Sequence, residues 1–146
     1  LETNRRGGAR PRKANWKHFY ELEAKLKEVI DGVNYSVSAV IVEGKRDEEA
    51  LRSAGLRSTV VQFSCSGLPL FAFVEELVAE YKGRSVLVLL DFDSEGDGLA
   101  ERISQELEEG GVRVQRRIRL DIAKMLIREG ILRIEEIGTL RRRASL

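Results

Sequence analysis

The sequence predicts one α/β domain with a four-stranded, mostly parallel sheet flanked by helices, and three observations carry that expectation. Two stretches, Ala39-Val40-Ile41-Val42 and Val86-Leu87-Val88-Leu89-Leu90, are apolar without interruption, as strands buried on both faces are. Strand-like and helix-like segments alternate along the chain, which calls for right-handed crossovers between parallel strands. Glycines close the helical segments, at Gly32, Gly55, Gly83, Gly110-Gly111 and Gly130, where a residue without a Cβ is most at ease.

Taken in order, residues 1–13 lack apolar periodicity and combine Gly7-Gly8 and Pro11 with Arg5, Arg6, Arg10, Arg12 and Lys13, so they read as a flexible basic arm. Residues 14–36 read as an amphipathic helix capped by Asn15, with Trp16, Phe19, Leu26, Val29 and Ile30 at helical spacing and an end near Gly32. The α/β core follows over residues 37–120. Its first strand spans Val37 to Val42 and stops at Glu43-Gly44-Lys45, and a helix then covers Arg46 to Ala54. The second strand, Thr59 to Phe63, runs into the small-residue loop Ser64-Cys65-Ser66-Gly67. Pro69 then stands as the first residue of a helix whose buried face is Leu70, Phe73, Val74, Leu77, Val78 and Tyr81. The third strand is the Val86 to Leu90 run, and Gly96-Asp97-Gly98 reads as a turn into a helix carrying Leu99, Ala100, Ile103 and Leu107. In the fourth strand Val112 and Val114 alternate with Arg113 and Gln115, which marks a half-exposed edge. Arg116, Arg117 and Arg119 extend from it. Residues 121–146 read as a basic helical extension, with Asp121 capping a short helix and Arg141-Arg142-Arg143 near the end.

Composition narrows the setting. At 146 residues the chain can bury a real core. It contains no apolar run near the roughly 18 residues of a membrane span and no secretory pattern, which predicts a soluble, cytoplasmic protein. The numbering opens on Leu1, so no native N-terminus is assumed. Cys65 is alone and cannot form an intramolecular disulfide; it and His18 read as ordinary structural residues. The net charge of +1 hides a segregation: residues 43–109 carry seven basic and fifteen acidic groups, whereas residues 110–146 carry ten basic and four acidic. Residues 1–17 add six basic groups against one acidic. An acidic middle between basic ends suits a metal at the centre and a polyanion across the flanks, although solvated ion pairs of a heat-adapted surface give the same totals.

Chemistry concentrates where the buried strands end. Asp91 and Asp93 alternate in an extended stretch and can present two carboxylates to one point. Glu43 occupies the same place after the first strand, so if strands one and three are neighbours, in the order 2-1-3-4, the three acids converge. Clustered carboxylates repel unless a cation lies among them, and Mg²⁺ or Mn²⁺ is the expected cofactor, held by Asp91 and Asp93 with Glu43 and Glu95 in reach. Glu43 would then serve as general acid or base. Lys45, Arg116, Arg117, Arg119, Arg141, Arg142, Arg143 and the basic residues of the arm are expected to contact phosphates.

The pairing of AVIVEGKRDEEAL with VLVLLDFDSEGDGLA resembles the Toprim family, whose signature is a strand-end Glu-Gly and a later Asp-x-Asp, often followed by x-Glu-Gly. The resemblance covers about Ser38 to Arg116 and implies a Rossmann-like Toprim fold. It also implies a phosphoryl-transfer role for Glu43 and metal-binding roles for Asp91 and Asp93. Glu95-Gly96 is similar to the topoisomerase extension of the motif, and Glu43 to Lys45 to the ribosomal-RNA maturase variant. Gly67 falls where family members commonly carry a glycine loop. The flanks resemble small archaeal Toprim proteins. Nothing resembles the domain that supplies a topoisomerase's tyrosine or a primase's zinc module, and Tyr20, Tyr35 and Tyr81 lack a nucleophile's setting. The resemblance implies a nuclease or other phosphoryl-transfer enzyme on RNA or DNA; a non-catalytic nucleic-acid or ribonucleoprotein adaptor remains the alternative. Three rivals compete for the acids. An EF-hand would need Glu where Arg102 stands, and a haloacid-dehalogenase-like phosphatase leaves Glu43 unexplained. A solvated structural cluster of acids is the third.

Overall fold

A computed structural model describes residues 12–144, with Arg12–Ser36 as helix α1, Ala39–Val42 as strand β1 and Lys45–Ser53 as α2. There follow β2 (Val60–Gln62), α3 (Leu70–Tyr81), β3 (Ser85–Val88), α4 (Ser94–Glu109), β4 (Arg113–Val114) and α5 (Arg116–Ile127). A 3-10 turn at Ile134–Glu136 and α6 (Gly138–Ala144) complete the described chain. Of the expected basic arm, Arg5, Arg6 and Arg10 lie outside the described residues, while Arg12 and Lys13 open α1.

All strand pairs are parallel and the order is β2-β1-β3-β4, the order expected from the sequence. Every residue of β1 is buried, because helices cover both faces of the sheet. On one face Val40, Val42, Leu87 and Leu89 pack with Leu26, Ile30 and Val33 of α1 and with Ile122 and Leu126 of α5. On the other, Ile41, Val86, Val88 and Leu90 pack with Phe73 and Leu77 of α3 and with Ile103 and Leu107 of α4. Alternation along β1 and β3 divides the core in two. The chain leaves β1 for β2 on one side and returns to β3 on the other, so the topological switch point lies between β1 and β3.

Several boundaries differ from expectation, each for a physical reason. Helix α1 runs through Gly32 to Ser36, although an interior glycine costs about 1 kcal/mol relative to alanine. The last turn is held by Val33, 1% exposed, and by Asn34, whose side chain accepts from the Arg57 and Ser58 amides and donates to the Gly55 carbonyl. Pro69 is the N-cap of α3 rather than its first residue, in extended conformation with ψ 160°. Gly96-Asp97-Gly98 is not a turn but part of the first turns of α4, which begins at Ser94 with Asp93 as its cap. Asp121 does not start a helix: α5 starts at Arg116, because Ile118, Ile122, Met125 and Leu126 form one stripe directed into the core, and Asp121 pairs with Arg117 one turn earlier at 3.1 Å. No described helix is long and apolar enough to cross a membrane.

Candidate metal centre

The acids stand where the sheet's register puts them. Ile41 pairs with Val88 and its carbonyl accepts from the Leu89 amide at 2.8 Å, so the chain runs on from β1 into Glu43 and from β3 into Asp91 at the same edge of the sheet. Glu43 is exposed, and its carbonyl accepts from the Ser64 amide at 2.7 Å, which holds the backbone beneath it to the end of β2.

Phe92, between Asp91 and Asp93, is 3% exposed and packs in the same core as Ile134. Each aspartate is anchored through one oxygen. Asp91 Oδ1 accepts from the Ile134 amide at 2.8 Å, and Asp93 Oδ1 accepts from the Gly96 amide at 2.7 Å, capping α4. Glu95 is exposed in the first turn of that helix, at its positive end.

Two further residues shape this centre: Asp47, which the sequence reading did not single out, and Arg119, for which it expected a different role. Asp47, one turn into α2, accepts from the Gly44 amide at 3.1 Å and so fixes the Glu43-Gly44 bend. Burial raises its pKa first of all, and the negative charges of Asp91, Glu135 and Glu43 raise it further, against the lowering effect of the Gly44 hydrogen bond. Those shared charges place Asp47 within the field of Glu43 and Asp91. The available signal was its position as the third residue of a helix opened by Gly44. A carboxyl whose folded pKa is raised adds stability below its unfolded pKa and loses it as pH rises through the folded value. Asp47→Asn, which keeps an acceptor for Gly44, is therefore expected to flatten the fall in stability between acid and neutral pH; urea unfolding across that range checks it, and an unchanged profile would exclude Asp47 as its source.

The second is Arg119. Expected to reach phosphates, it lies inward with its side chain 18% exposed. One Nη donates to the carbonyls of Leu90 and Asp91 at 3.0 and 2.7 Å, the other meets Asp97 at 3.0 Å, and the guanidinium stacks on Phe92 at 5.0 Å. β4 stops too early to pair with the end of β3, and this side chain supplies the missing donors. Arg119→Met is expected to cost about 2 kcal/mol through carbonyls left unpaired, and Arg119→Lys little less, because an ammonium cannot reproduce the fork. Denaturant midpoints near wild type for both would show the contacts to be incidental.

The remaining basic residues divide. Lys45 is exposed beside Glu43, and Arg142 is exposed on α6. Arg117 keeps a side chain 79% exposed despite its pairing with Asp121. Arg116 is held by Glu108 at 2.9 Å and by Glu101, and those partners push its pKa above the ordinary value while lowering that of Glu108. Arg143 stacks on Phe19 at 5.1 Å. The side chains of Arg12, Lys13 and Arg141 lie outside what the structure describes.

The donor set fits a hard divalent cation of one kind of coordination. Among the described residues no three of His, Cys, Asp and Glu are grouped so as to hold a metal by themselves. Mg²⁺ commonly takes one or two carboxylates, keeps waters and completes its shell with substrate phosphate. Two anchored carboxylates with Glu43 on the neighbouring strand end match that mode, whereas an all-protein cage is excluded among these residues.

A family model for the Toprim domain matches residues 38–117. The chain belongs to the Toprim family. It is 33% identical over 128 residues to a UPF0292 protein of Pyrococcus horikoshii, spanning 88% of this chain and 92% of that one. It is 37% identical over 132 residues to a UPF0292 protein of Pyrococcus abyssi, spanning 90% of each. The relative from Methanocaldococcus jannaschii is 35% identical over 70% of this chain and 79% of its own. A solved structure of a protein from Aquifex aeolicus superposes with a TM-score of 0.55 at 25% identity, covering 80% of this chain and 95% of that one. The helix from Ser94 occupies the residues an EF-hand loop would need.

Proposed function

We propose that this chain is a Mg²⁺- or Mn²⁺-dependent enzyme that processes nucleic acid by phosphoryl transfer, a nuclease acting on RNA or DNA. What supports the reading is that Glu43 follows β1 and the anchored Asp91 and Asp93 follow β3, adjacent strands at the switch point of the sheet, where open α/β folds bind ligands. Asp91 and Asp93, with Glu95 at the head of α4, would hold the cation, which when bound stabilises charge developing on a phosphoryl oxygen. Glu43, exposed and bound through its backbone alone among the described contacts, is free to give a proton to the leaving oxygen or take one from water. Lys45 brings a positive charge to the same bend. Arg117, Arg142 and the basic residues of the arm and of Arg141 to Arg143 would track the phosphate backbone, with little sequence preference.

The test is incubation with structured RNA, single-stranded DNA and duplex DNA, with and without Mg²⁺ or Mn²⁺, for wild type and for Asp91→Asn/Asp93→Asn. Cleavage that needs the metal and vanishes in the double variant is the expected result. Binding with no turnover on any substrate, equal in both proteins, would instead establish the adaptor. Binding should weaken steeply with salt, and deletion of residues 1–13 should flatten the dependence by roughly 0.9 log unit per log unit of salt for each duplex phosphate that the arm neutralises. An identical slope would remove the arm from the interface.

A further inference from the structure

We infer that Trp16 and Tyr20, on the outer face of α1, form a stacking platform for unpaired bases of the nucleic acid; this rests on the nucleic-acid reading above and adds which part of the substrate is gripped. Four residues apart, the two side chains share one face of the helix. Their rings meet edge to face, with centroids 6.2 Å apart and planes at 78°. Phe19, between them in the chain, takes the apolar load of this turn: it packs against the core and is covered by the Arg143 guanidinium at 5.1 Å. Trp16 and Tyr20 join neither core and stay 37% and 58% exposed. Folding therefore gains little from either ring. In an edge-to-face pair the ring that presents its edge keeps both of its own faces clear of the other, and a flat heteroaromatic can stack there.

Charge and position select the occupant. Residues 1–17 carry six basic groups against one acidic, Lys17 is exposed on the same turn as the rings, and the acids of α1 begin only at Glu21. A polyanion that carries planar rings matches both features, and aromatic side chains beside a cationic track are how single strands are held without sequence preference. Position points the same way. Two residues separate α1 from β1, and Leu26 and Ile30 share a core with Val40 and Val42, so the helix runs back along the strand. Its start therefore lies toward the edge where β1 gives way to Glu43. Contacts tie it there: His18 Nε2 is 3.0 Å from Glu129 Oε2. In the segment that follows Glu129, the Leu132 carbonyl accepts from the Phe92 amide at 2.6 Å and the Ile134 amide donates to Asp91 at 2.8 Å. A strand whose bases stack on the platform is thus led toward the acidic centre. The preferred substrate is single-stranded or carries an unpaired stretch, because a duplex hides its ring faces in its own stack.

Trp16 is the single tryptophan of the chain, so its fluorescence reports on the platform directly. Titration of the full chain with a short oligothymidylate, a duplex of the same length and inorganic polyphosphate as a base-free polyanion tests the inference. Oligothymidylate is expected to quench Trp16, the duplex to quench it less, and polyphosphate to bind without quenching. Tyr20→Ala should weaken oligothymidylate binding about tenfold with an unchanged salt slope, because stacking releases no counterions. Tyr20→Phe, which keeps the ring, should restore the affinity. Both substitutions fall on an exposed side chain and leave the fold intact. Absence of quenching by oligothymidylate, equal quenching by polyphosphate, or wild-type affinity in Tyr20→Ala would overturn the platform. A dimer in sedimentation that Tyr20→Ala splits, with oligothymidylate affinity unchanged, would assign the rings to a protein contact and overturn it as well. Metal-dependent cleavage without quenching would sink the platform and leave the enzyme; quenching without cleavage of any substrate would do the reverse.

Discussion

Gly96→Ala is expected to destabilise the protein by about 3 kcal/mol and to abolish divalent-cation binding. A Cβ at this position would collide with the carbonyl oxygen of Asp91, lie 2.7 Å from the carbonyl carbon and 3.0 Å from Asp93 Oδ1. Two of those atoms belong to the backbone and cannot swing aside as a flexible side chain would. Relief requires moving either the first turn of α4 or the Asp91-Phe92-Asp93 segment, and the segment is pinned by Ile134, Arg119 and buried Phe92. Gly98→Ala supplies the control. Nothing lies within 4 Å of its Cβ position, and in a helix alanine is favoured over glycine by roughly 1 kcal/mol. Urea unfolding of both variants, with Mn²⁺ titration of the folded fractions, separates them; equal midpoints would show that the close approach of α4 to Asp91 is not required.

This result bears on what the sequence could reveal. The glycine of the Glu-Gly extension is visible in one dimension, but its reason is a contact between the start of a helix and the strand end before it. Locally, Gly96-Asp97-Gly98 carries turn chemistry, and propensity alone favours a bend. The Asp93 cap and the packing of Gly96 on Asp91 override it, so the helix begins at Ser94. By contrast, the fully buried runs in β1 and β3 required no tertiary knowledge. Their abrupt ends in Glu43 and Asp91 also pointed to the order β2-β1-β3-β4, because only adjacency of those strands brings the acids together.

The residues that were not legible act through partners distant in the chain. Arg119 follows a run of arginines and carries no local mark that sets it apart from Arg116 or Arg117; its role exists only because β4 ends early and leaves the Leu90 and Asp91 carbonyls open. Ile134 contributes an amide from the C-terminal region, 43 residues from the aspartate it binds. The C-terminal segment, read as a basic extension, therefore also buttresses the acidic centre, and Ile134, Ile137 and Leu140 join the same core as β1. Asp47 was hidden for another reason: on α2 its charge looks like ordinary helix-start polarity, and only burial near Glu43, Asp91 and Glu135 gives it weight.

Glu43→Gln is expected to lower turnover about 10²- to 10⁴-fold with nucleic-acid binding unchanged. Glutamine has nearly the same shape and still accepts a hydrogen bond, but it cannot exchange a proton. Because Glu43 is exposed, the substitution leaves no buried group unpaired, and its effect on stability should stay within about 0.5 kcal/mol. It also removes one of the charges that raise the pKa of Asp47, so any change in stability at neutral pH should be a gain. The separation of turnover from binding is the decisive reading, since a phosphate-positioning residue would alter both. Loss of binding in step with turnover would make Glu43 part of the cation's grip on substrate. Full turnover in Glu43→Gln would leave Asp47 as the next carboxylate at that bend, and Asp47→Asn assayed for turnover would then decide whether the proton passes through α2 instead of the end of β1.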